Sequence, residues 1–348
     1  MTDASDAAPP PHLPPAAPLP SLDELLGTAR VVALPLVTRF RGIDVREAML
    51  LEGPEGWTEF SPFEEYPDDE ASAWLAAAID FGWNPTPPIL RDRIRVNATV
   101  PAVDPDSVPA VLARFPGCRT AKVKVAASDQ TLAQDVARVR AVRDAMGPEG
   151  RIRVDANGGW NVDEAEHAIH ALAPFDLEYV EQPCANVADL LEISIRIKYM
   201  GIPIAADESV RRADDPLAVA EAGAADLLVV KAQPLGGIRR VLELIDHTGL
   251  PVVVSSALDT SVGLAMGAHL AAAVPALEFD CGLGTASLLA ADVSQAPLSP
   301  VDGAVEVRRV LPDPELLDRY AATPERTDWW LERLGRAYAA LASRPSVE

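Results

Sequence analysis

Residues 120–125 read TAKVKV, and four similar segments follow them along the chain: RIRVDAN (151–157), LEYVEQP (177–183), PIAADES (203–209) and LLVVKAQ (227–233). Each segment is a short run rich in β-branched or small apolar residues that ends in charged or amide side chains. Such runs are typical of buried strands with polar groups at their carboxyl ends. Three further runs of this type flank the region, namely RIRVNATV (93–100), PVVVSSA (251–257) and LEFDCG (277–282).

Amphipathic stretches rich in Ala and Leu lie between these runs and predict helices at residues 132–145, 163–173, 238–247 and 262–273. Strands that alternate with helices are expected to be parallel and joined by right-handed crossovers. Eight such runs favour a closed barrel, an α/β fold of the modified (β/α)7β, TIM-like type. The alternative is an open, doubly wound sheet, which normally has a Gly-rich turn after its first strand. The sequence has no such turn there.

The composition of the chain divides it into four parts. Residues 1–28 begin with a proline-rich stretch, which predicts an extended, flexible tail. Residues 29–91 contain strand-like runs and one helical stretch, which predict an α+β capping domain. Residues 92–285 form the predicted barrel. In residues 286–348 prolines interrupt the pattern, and we expect this segment to pack back on the capping domain.

The charge of the chain narrows its possible partners. The sequence has 30 Lys and Arg against 52 Asp and Glu, a net charge of −22, which repels nucleic acid and anionic lipid surfaces. It has no apolar run long enough to span a membrane and no signal peptide, so we predict a cytoplasmic protein with neither a nucleic-acid nor a membrane partner. A small anionic substrate would then need a local cluster of positive charge. The oligomeric state is not predictable from the sequence.

The polar residues at the ends of the predicted strands are the candidate functional groups. In a β/α barrel the carboxyl ends of all strands meet at one mouth, where catalytic groups lie. Side chains alternate along a strand, so residues two apart share a face and one register can turn all of these inward. The candidates are Lys122, Lys124, Asp155, Asn157, Glu181, Asp207, Glu208 and Lys231.

Three carboxylates among these residues indicate a metal site. Asp155, Glu181 and Asp207 end three consecutive strands, and their mutual repulsion would destabilise the fold without a cation between them. Hard oxygen ligands suit Mg²⁺, for which Mn²⁺ can substitute. Each carboxylate alone could instead be a helix cap or an ordinary loop residue, and Glu208 competes with Asp207 as the ligand.

The lysines indicate proton transfer. Neighbouring positive charge and burial lower the pKa of a lysine, and a neutral amine can remove a proton next to a carboxylate. Lys122 and Lys124 could also be solvated charges on an edge strand, but a closed barrel has no edge. Lys231 follows an apolar run and must therefore emerge at the mouth or pair with a carboxylate.

As a set, these residues resemble the enolase superfamily, in which a Lys or His base works with Mg²⁺. The resemblance extends from about residue 30 to the end of the chain. The lysine on the sixth strand, Lys231, places the chain with the muconate-lactonizing subgroup. The segments LPLVTRFRGIDVREAML (34–50), GWTEFSPFEEY (56–66) and VVVSSALDTSVGLAMGAHLAA (252–272) resemble o-succinylbenzoate synthases of the actinobacterial type.

This resemblance implies a hydro-lyase of menaquinone biosynthesis. The expected reaction is the dehydration of 2-succinyl-6-hydroxy-2,4-cyclohexadiene-1-carboxylate to o-succinylbenzoate through an enediolate. In the family mechanism, the residue matching Lys124 removes the proton α to the carboxylate and then assists departure of the hydroxyl. Lys231 would stabilise the enediolate through a cation–π contact, and Lys122 would help to neutralise the carboxylate.

Three further residues are candidates for substrate binding. Arg41 lies in a loop of the capping domain that the family folds over the barrel mouth, where it could pair with a carboxylate. Ser255 and Ser256, at the end of the seventh strand, could donate hydrogen bonds to the succinyl group. A surface role for Arg41 and a plain strand-to-loop transition at the two serines are the alternatives.

Other functions remain open at this stage. N-succinylamino acid racemases and dipeptide epimerases use the same metal site with two opposing lysines, and sequence motifs separate them poorly from the synthases. A Schiff-base aldolase could also use Lys231, and it would work without metal. A non-catalytic, metal-stabilised binding barrel is a third possibility.

Overall fold

The computed structural model describes residues 17–211 and 216–344. Residues 1–16 of the predicted tail lie outside this range. The tail boundary at residue 28 is wrong, because Leu22–Thr28 form helix α1. The Ser21 hydroxyl accepts a hydrogen bond from the Glu24 backbone N–H and so caps this helix, and Leu25 is fully buried. The ordered part of the chain therefore begins before the predicted boundary at residue 28.

An antiparallel sheet and one long helix form the capping domain. The strands are β1 (Arg30–Phe40), β2 (Ile43–Gly53) and β3 (Gly56–Phe60), followed by helix α2 (Asp68–Trp83). Acidic residues in the first turn of α2 complement the positive end of the helix dipole. The turn between β1 and β2 contains Arg41, whose φ of 50° is in the left-handed region, and Gly42, whose φ is 79°.

The barrel follows strand β4 (Arg93–Arg95). Within the described residues, its sheet has seven parallel strands that are neighbours in chain order. They are β5 (Ala98–Val100), β6 (Thr120–Lys124), β7 (Arg151–Asp155), β8 (Leu177–Glu181), β9 (Ile204–Ala206), β10 (Leu227–Val230) and β11 (Val252–Val254). The helices of this part are α3 (Val108–Leu112), α4 (Leu132–Met146), α5 (Val162–Leu172), α6 (Val187–Ile197), α7 (Glu208–Arg211), α8 (Ala218–Glu221), α9 (Ile238–Thr248) and α10 (Ser261–Ala273).

The eighth strand position is reduced to single bridges rather than the predicted strand over residues 277–282. Cys281 forms a parallel bridge with Val96, and Gly282 forms one with Ser255. The backbone N–H of Gly282 donates to the carbonyl of Val254 at 2.8 Å, and the N–H of Asn97 donates to the carbonyl of Cys281 at 2.9 Å. This short segment therefore joins both edges of the sheet and closes the curled sheet into a barrel.

The C-terminal segment packs on the capping domain. Strand β12 (Ala304–Glu306) pairs antiparallel with β4, and α11 (Pro314–Arg319) precedes the long helix α12 (Pro324–Ala342). The Trp330 ring lies edge-on to Phe60, with the ring centres 6.0 Å apart. The buried guanidinium of Arg333 donates to the carbonyls of Phe63 and Tyr66 at 2.8 and 2.7 Å. Among the described residues, no helix is long and apolar enough to cross a membrane.

Candidate active site

The polar ends of the barrel strands meet at one mouth, beneath the capping domain. Strands β6 and β10 are separated by β7, β8 and β9, and they therefore face each other across a barrel of eight positions. Lys122 and Lys124 on β6 and Lys231 directly after β10 line the same cleft. These three are among only four lysines in the whole sequence. The chain thus concentrates its lysines at this mouth.

Lys122 connects two of the three predicted ligands. Its Nζ lies 3.0 Å from Oδ2 of Asp155 and 2.8 Å from Oε1 of Glu181. The register pairs Lys124 with Asp155 and Asp155 with Glu181 on adjacent strands, which places these side chains side by side. All are strand residues of a closed sheet, so the backbone holds their positions rigidly.

Lys124 lies at the end of β6, nearer to solvent. Its Nζ donates to Oδ2 of Asp155 at 2.5 Å and to Oδ1 of Asn157 at 2.8 Å. Behind it, the buried guanidinium of Arg138 donates to the backbone carbonyl of Lys124 at 2.7 Å. The end of β6 that carries Lys124 is therefore held both by Arg138 of helix α4 and by pairing with the neighbouring strand.

Asp207 is paired with two cations on the far side of the mouth. Its Oδ2 accepts a hydrogen bond from the ammonium of Lys231, and its Oδ1 accepts one from Nε of Arg211 at 3.0 Å. The backbone N–H of Asp207 donates to Oε1 of Gln182 at 2.9 Å, which fixes the turn after β9. Glu208 accepts hydrogen bonds from Asn157 at 3.1 Å and from Arg211 at 2.5 Å.

Burial and charge shift the pKa values of these groups in opposite directions. Burial and the nearby Asp155 raise the pKa of Glu181 to about 8. Burial alone would raise the pKa of Asp155 as well, but the Lys124 and Lys122 ammonium groups hold it well below its usual range. Burial lowers the pKa of Lys231, which the Asp207 carboxylate opposes. Such displaced values are typical of catalytic sites.

The donor set fits a divalent cation in its chemistry, although the carboxylates are turned towards lysines. Among the residues that the structure describes, no three His, Cys, Asp or Glu side chains are arranged as a ready metal cluster. Oε2 of Glu181 is buried and has no hydrogen-bond partner among the described residues. A buried, unpartnered carboxylate oxygen beside Asp155 is the kind of group that a cation satisfies. The three predicted ligands therefore remain a prediction.

The capping domain supplies one wall of the cleft. Phe40, the last residue of β1, and Arg41, in the turn that follows, line the cleft. The Phe40 ring centre lies 5.9 Å from Nζ of Lys124. The Arg41 guanidinium lies 4.3 Å from the centre of the Phe63 ring and 3.9 Å from the carboxylate of Glu65. Arg41 is thus a charged group beside the mouth, and its role in substrate binding stays a prediction.

The two predicted serines both line the cleft but differ in their contacts. The Ser256 hydroxyl donates to the carbonyl of Gly282 at 2.7 Å and lies 2.8 Å from the Thr285 hydroxyl. Ser255 is buried, and a Cβ atom on Gly282 would approach its hydroxyl to 2.4 Å. Glycine at position 282 therefore keeps the space beside Ser255 open.

The sequence analysis missed Arg211 and Tyr66. Arg211 binds Asp207 and Glu208, and it donates to the Tyr66 hydroxyl of the capping domain at 2.8 Å. The spacing to Asp207 is four residues on a helical turn, and this i, i+4 pair was the available signal. Tyr66 carried no signal, because its contact with the barrel depends on how the capping domain docks.

Two family models match the chain: an enolase C-terminal domain-like model over residues 110–312 and an enolase N-terminal domain-like model over residues 31–82. An o-succinylbenzoate synthase of Mycobacterium marinum is 54% identical over 325 residues, which is 93% of this chain and 97% of the relative. The chain belongs to the o-succinylbenzoate synthase family. An o-succinylbenzoate synthase of Mycolicibacterium smegmatis, a further member of that family, is 52% identical over 93% of this chain and 99% of its own length.

Solved structures support the fold of this o-succinylbenzoate synthase family member. A muconate lactonizing enzyme from Pseudomonas fluorescens superposes with a TM-score of 0.71 at 20% identity, covering 85% of this chain and 98% of that one. An N-succinyl Arg/Lys racemase from Bacillus cereus superposes with a TM-score of 0.68 at 17% identity, with the same coverage. The predicted TIM-like barrel with an N-terminal capping module is thereby confirmed.

Proposed function

We propose that the protein is an o-succinylbenzoate synthase, a hydro-lyase that dehydrates 2-succinyl-6-hydroxy-2,4-cyclohexadiene-1-carboxylate to o-succinylbenzoate. The observation that carries this proposal is the 54% identity to a synthase across 93% of the chain. The site adds support, since Lys124 and Lys231 face each other across a cleft that Asp207 also lines. Asp155 and Glu181 are buried against Lys122, which lines the same cleft. A cationic cleft in a chain of net charge −22 suits a small dicarboxylate.

Lys124 is the proposed base. As a neutral amine it takes the proton α to the ring carboxylate, so the C–H bond breaks and an enediolate forms. The resulting ammonium then gives its proton to the departing hydroxyl, the C–O bond breaks, and one water molecule leaves. One residue on one face can perform both transfers, because Lys124 is held by Asp155 and Asn157 but is still partly exposed to the cleft.

Asp155, Glu181 and Asp207 would hold the cation, for which we propose Mg²⁺ with Mn²⁺ as a substitute. When bound, Mg²⁺ would supply positive charge for the substrate carboxylate and for the negative charge that develops on it. Asn157 and Glu208 would orient the ligand set, because Asn157 bridges Lys124 to Glu208. Such outer contacts tune both ligand geometry and affinity.

Lys231 and Lys122 have electrostatic roles in this proposal. Lys231 lies across the mouth from Lys124, where its ammonium stabilises the enediolate through a cation–π contact. Lys122, held between Asp155 and Glu181, adds positive charge at the base of the cleft. Arg41 pairs with a carboxylate of the substrate, and Ser255 donates a hydrogen bond to its succinyl group.

Racemisation of N-succinylamino acids is a second candidate. The observation that favours it is the opposed placement of Lys124 and Lys231, since a racemase needs a base on each face of the α-carbon. A bulky dehydration substrate needs one base only. Both reactions begin with removal of a proton next to a carboxylate, so the same site could serve either.

The test is a direct assay of both reactions with purified protein and Mg²⁺. We expect dehydration of the cyclohexadiene substrate. The loss of the substrate's absorbance and the appearance of o-succinylbenzoate in the mass spectrum measure this reaction. Racemisation with no o-succinylbenzoate would replace the first proposal by the second. If activity persists with a chelator and borohydride traps a covalent adduct between enzyme and substrate, the protein would instead be a Schiff-base enzyme.

A further inference from the structure

Two hydroxyl groups in contact lie on the wall of the cleft opposite the predicted metal ligands. Ser256 directly follows the bridge between Ser255 and Gly282, and Thr285 begins the short 3₁₀ helix Thr285–Leu288. Both Ser256 and Thr285 line the cleft. The predicted ligands lie at the ends of β7, β8 and β9, whereas these two residues follow β11 and the eighth strand position. A substrate whose carboxylate faces the predicted ligands would therefore extend towards the two hydroxyl groups.

The contacts of Ser256 determine the direction of both hydroxyl protons. Its Oγ lies 2.7 Å from the carbonyl oxygen of Gly282 and 2.8 Å from Oγ1 of Thr285. A carbonyl oxygen carries no proton, so at this distance the Ser256 hydroxyl must donate to it. Because a hydroxyl has one proton, Thr285 must then be the donor in the contact between the two hydroxyl groups.

The Thr285 hydroxyl can therefore only accept a hydrogen bond from a group in the cleft. Its proton is directed at Ser256, and its lone pairs remain. The carbonyl that sets this direction belongs to the segment that closes the barrel, since the Gly282 N–H donates to the carbonyl of Val254 at 2.8 Å. The backbone of the barrel thus holds Thr285 as an acceptor.

The proposed substrate has one polar group that can donate to such an acceptor. At neutral pH both of its carboxylates are ionised and can only accept hydrogen bonds, and the ketone of its succinyl group can also only accept. The 6-hydroxyl is the remaining polar group, and it carries a proton. The product, o-succinylbenzoate, has lost this hydroxyl but keeps both carboxylates and the ketone. An acceptor on the wall would therefore distinguish the substrate from the product.

We propose that Thr285 accepts a hydrogen bond from the leaving hydroxyl of the substrate, and that Ser256 holds Thr285 in the orientation that this contact requires. The proposal rests on the proposed function, because it concerns the group that leaves in that reaction. With its proton directed at Thr285, the hydroxyl oxygen keeps a lone pair free for the proton of the Lys124 ammonium. When the C–O bond breaks, the oxygen takes that proton and leaves as water. Thr285 is thus a substrate-binding residue, and Ser256 is a positioning residue.

The same acceptor would bind a different donor in the second candidate reaction. An N-succinylamino acid has an amide N–H on its α-carbon, while its carboxylates and its amide carbonyl can only accept. The chemistry shared by the two substrates is a single hydrogen-bond donor close to the reacting carbon. Assays of dehydration and of racemisation distinguish the two donors.

The first test compares the substrate with the product in one variant. Thr285→Val replaces the hydroxyl by a methyl group of similar size and is expected to lower kcat/KM for dehydration about tenfold. The dissociation constant of o-succinylbenzoate, measured by isothermal titration calorimetry with Mg²⁺, should change less than about twofold, since the product has no donor. Thr285→Ser keeps a hydroxyl and should retain kcat/KM within about threefold.

The second test releases the Thr285 hydroxyl. Ser256→Ala removes the oxygen that accepts the proton of Thr285, so this hydroxyl can turn and donate into the cleft. We expect kcat/KM for dehydration to fall about threefold, while o-succinylbenzoate binds at least as tightly as before, because its carboxylates and ketone can accept. The matched control is Ser287→Ala, which removes a half-buried hydroxyl of the same 3₁₀ helix and should leave both constants unchanged.

The outcomes separate this inference from the proposed function. A Thr285→Val variant as active as the Ser287→Ala control would overturn the inference. So would an equal loss of product affinity in Thr285→Val, which would show that Thr285 only shapes the wall. If the unsubstituted protein racemises N-succinylalanine and does not dehydrate, the proposed function fails. A loss of about tenfold in kcat/KM for racemisation in Thr285→Val would then support the acceptor role with the amide as donor, and full activity would overturn it.

Discussion

The ammonium of Lys122 lies 2.8 Å from Oε1 of Glu181, and both side chains are buried where the strands of the barrel end. This pair links a buried cation to the carboxylate whose second oxygen has no partner among the described residues. A cation beside Glu181 would satisfy that oxygen and favour the charged carboxylate, and it would therefore oppose the burial and the Asp155 charge that raise the pKa of Glu181. The contact therefore makes the metal proposal directly testable.

We predict that Mg²⁺ stabilises the protein and that Glu181→Gln removes this effect. Saturating Mg²⁺ should raise the melting temperature by roughly 5 °C, because a ligand that binds only the folded state stabilises it. The variant should show a shift below about 1 °C, since an amide is a poorer ligand for Mg²⁺ than a carboxylate. Differential scanning fluorimetry measures both. Glu192→Gln, at an exposed helical position, is the control, and equal shifts in all three proteins would contradict the prediction.

We predict that Lys124→Ala lowers kcat by at least about 100-fold while the fold is retained. The alanine removes the amine that transfers the proton, but the strand, its hydrogen bonds and the Mg²⁺ effect should persist. Turnover assays and circular dichroism measure the two parts. Lys198→Ala is a matched control, because Lys198 is the one lysine of the sequence outside the mouth and is exposed. A variant that is folded and as active as the Lys198 control would exclude Lys124 as the base.

We predict that Arg41→Ala raises KM about tenfold and changes kcat little. Arg41 lies in the turn that covers the cleft, so its loss should weaken substrate binding more than the chemical step. Steady-state kinetics measure both constants. Arg39→Ala removes a more exposed arginine two residues away, which bridges to Asp44 at 3.8 Å, and it should leave KM unchanged. A similar rise in KM in both variants would indicate general charge attraction and not a specific contact.

We predict that stability depends on pH through Glu59 of the capping domain. Burial and the nearby Asp259 raise the pKa of Glu59 to about 7, although Arg46 opposes them. Between about pH 4.5 and 7 the folded protein keeps a proton that the unfolded chain loses, so the free energy of unfolding falls as pH rises. Glu59→Gln cannot ionise and should lack this fall.

The free energies of unfolding of the two proteins should therefore diverge by on the order of 3 kcal/mol between pH 5 and pH 8. Urea denaturation at several pH values measures this difference. Glu52→Gln, at an exposed position of the same domain, should follow the unsubstituted protein. Parallel curves for the unsubstituted protein and Glu59→Gln would show that Glu59 does not bind the extra proton.

The barrel could be predicted because the pattern of apolar and polar residues within each short segment indicates whether that segment is a strand or a helix. The helix predicted at residues 132–145 is observed at Leu132–Met146, and the strand ends at Lys124, Asp155 and Glu181 lie at one mouth. Each of these features depends on residues close together in the chain. A polar residue directly after a buried apolar strand marks the carboxyl end of that strand, and in a β/α barrel these ends lie at the mouth.

Other features could not be predicted because they depend on distant segments. The LEFDCG run at residues 277–282 has the composition of a strand, but Cys281 and Gly282 make only single bridges within the described residues. The contact of Arg211 with Tyr66 depends on how the cap docks. The carboxylates contact lysines because a nearby ammonium can neutralise a buried carboxylate. Strand periodicity indicates the face of the sheet on which a side chain lies, but it does not indicate the partner that the side chain contacts.

The pairing of helix α12 with the capping domain affects how the protein is made. The chain emerges from the ribosome with its amino terminus first. Strands β1 to β3 and helix α2 therefore emerge long before Trp330 and Leu334 can pack into the core of the capping domain. The nascent cap must therefore expose apolar surface during most of synthesis, when chaperones can bind it. The barrel can form first, and the cap is completed only when translation is nearly finished.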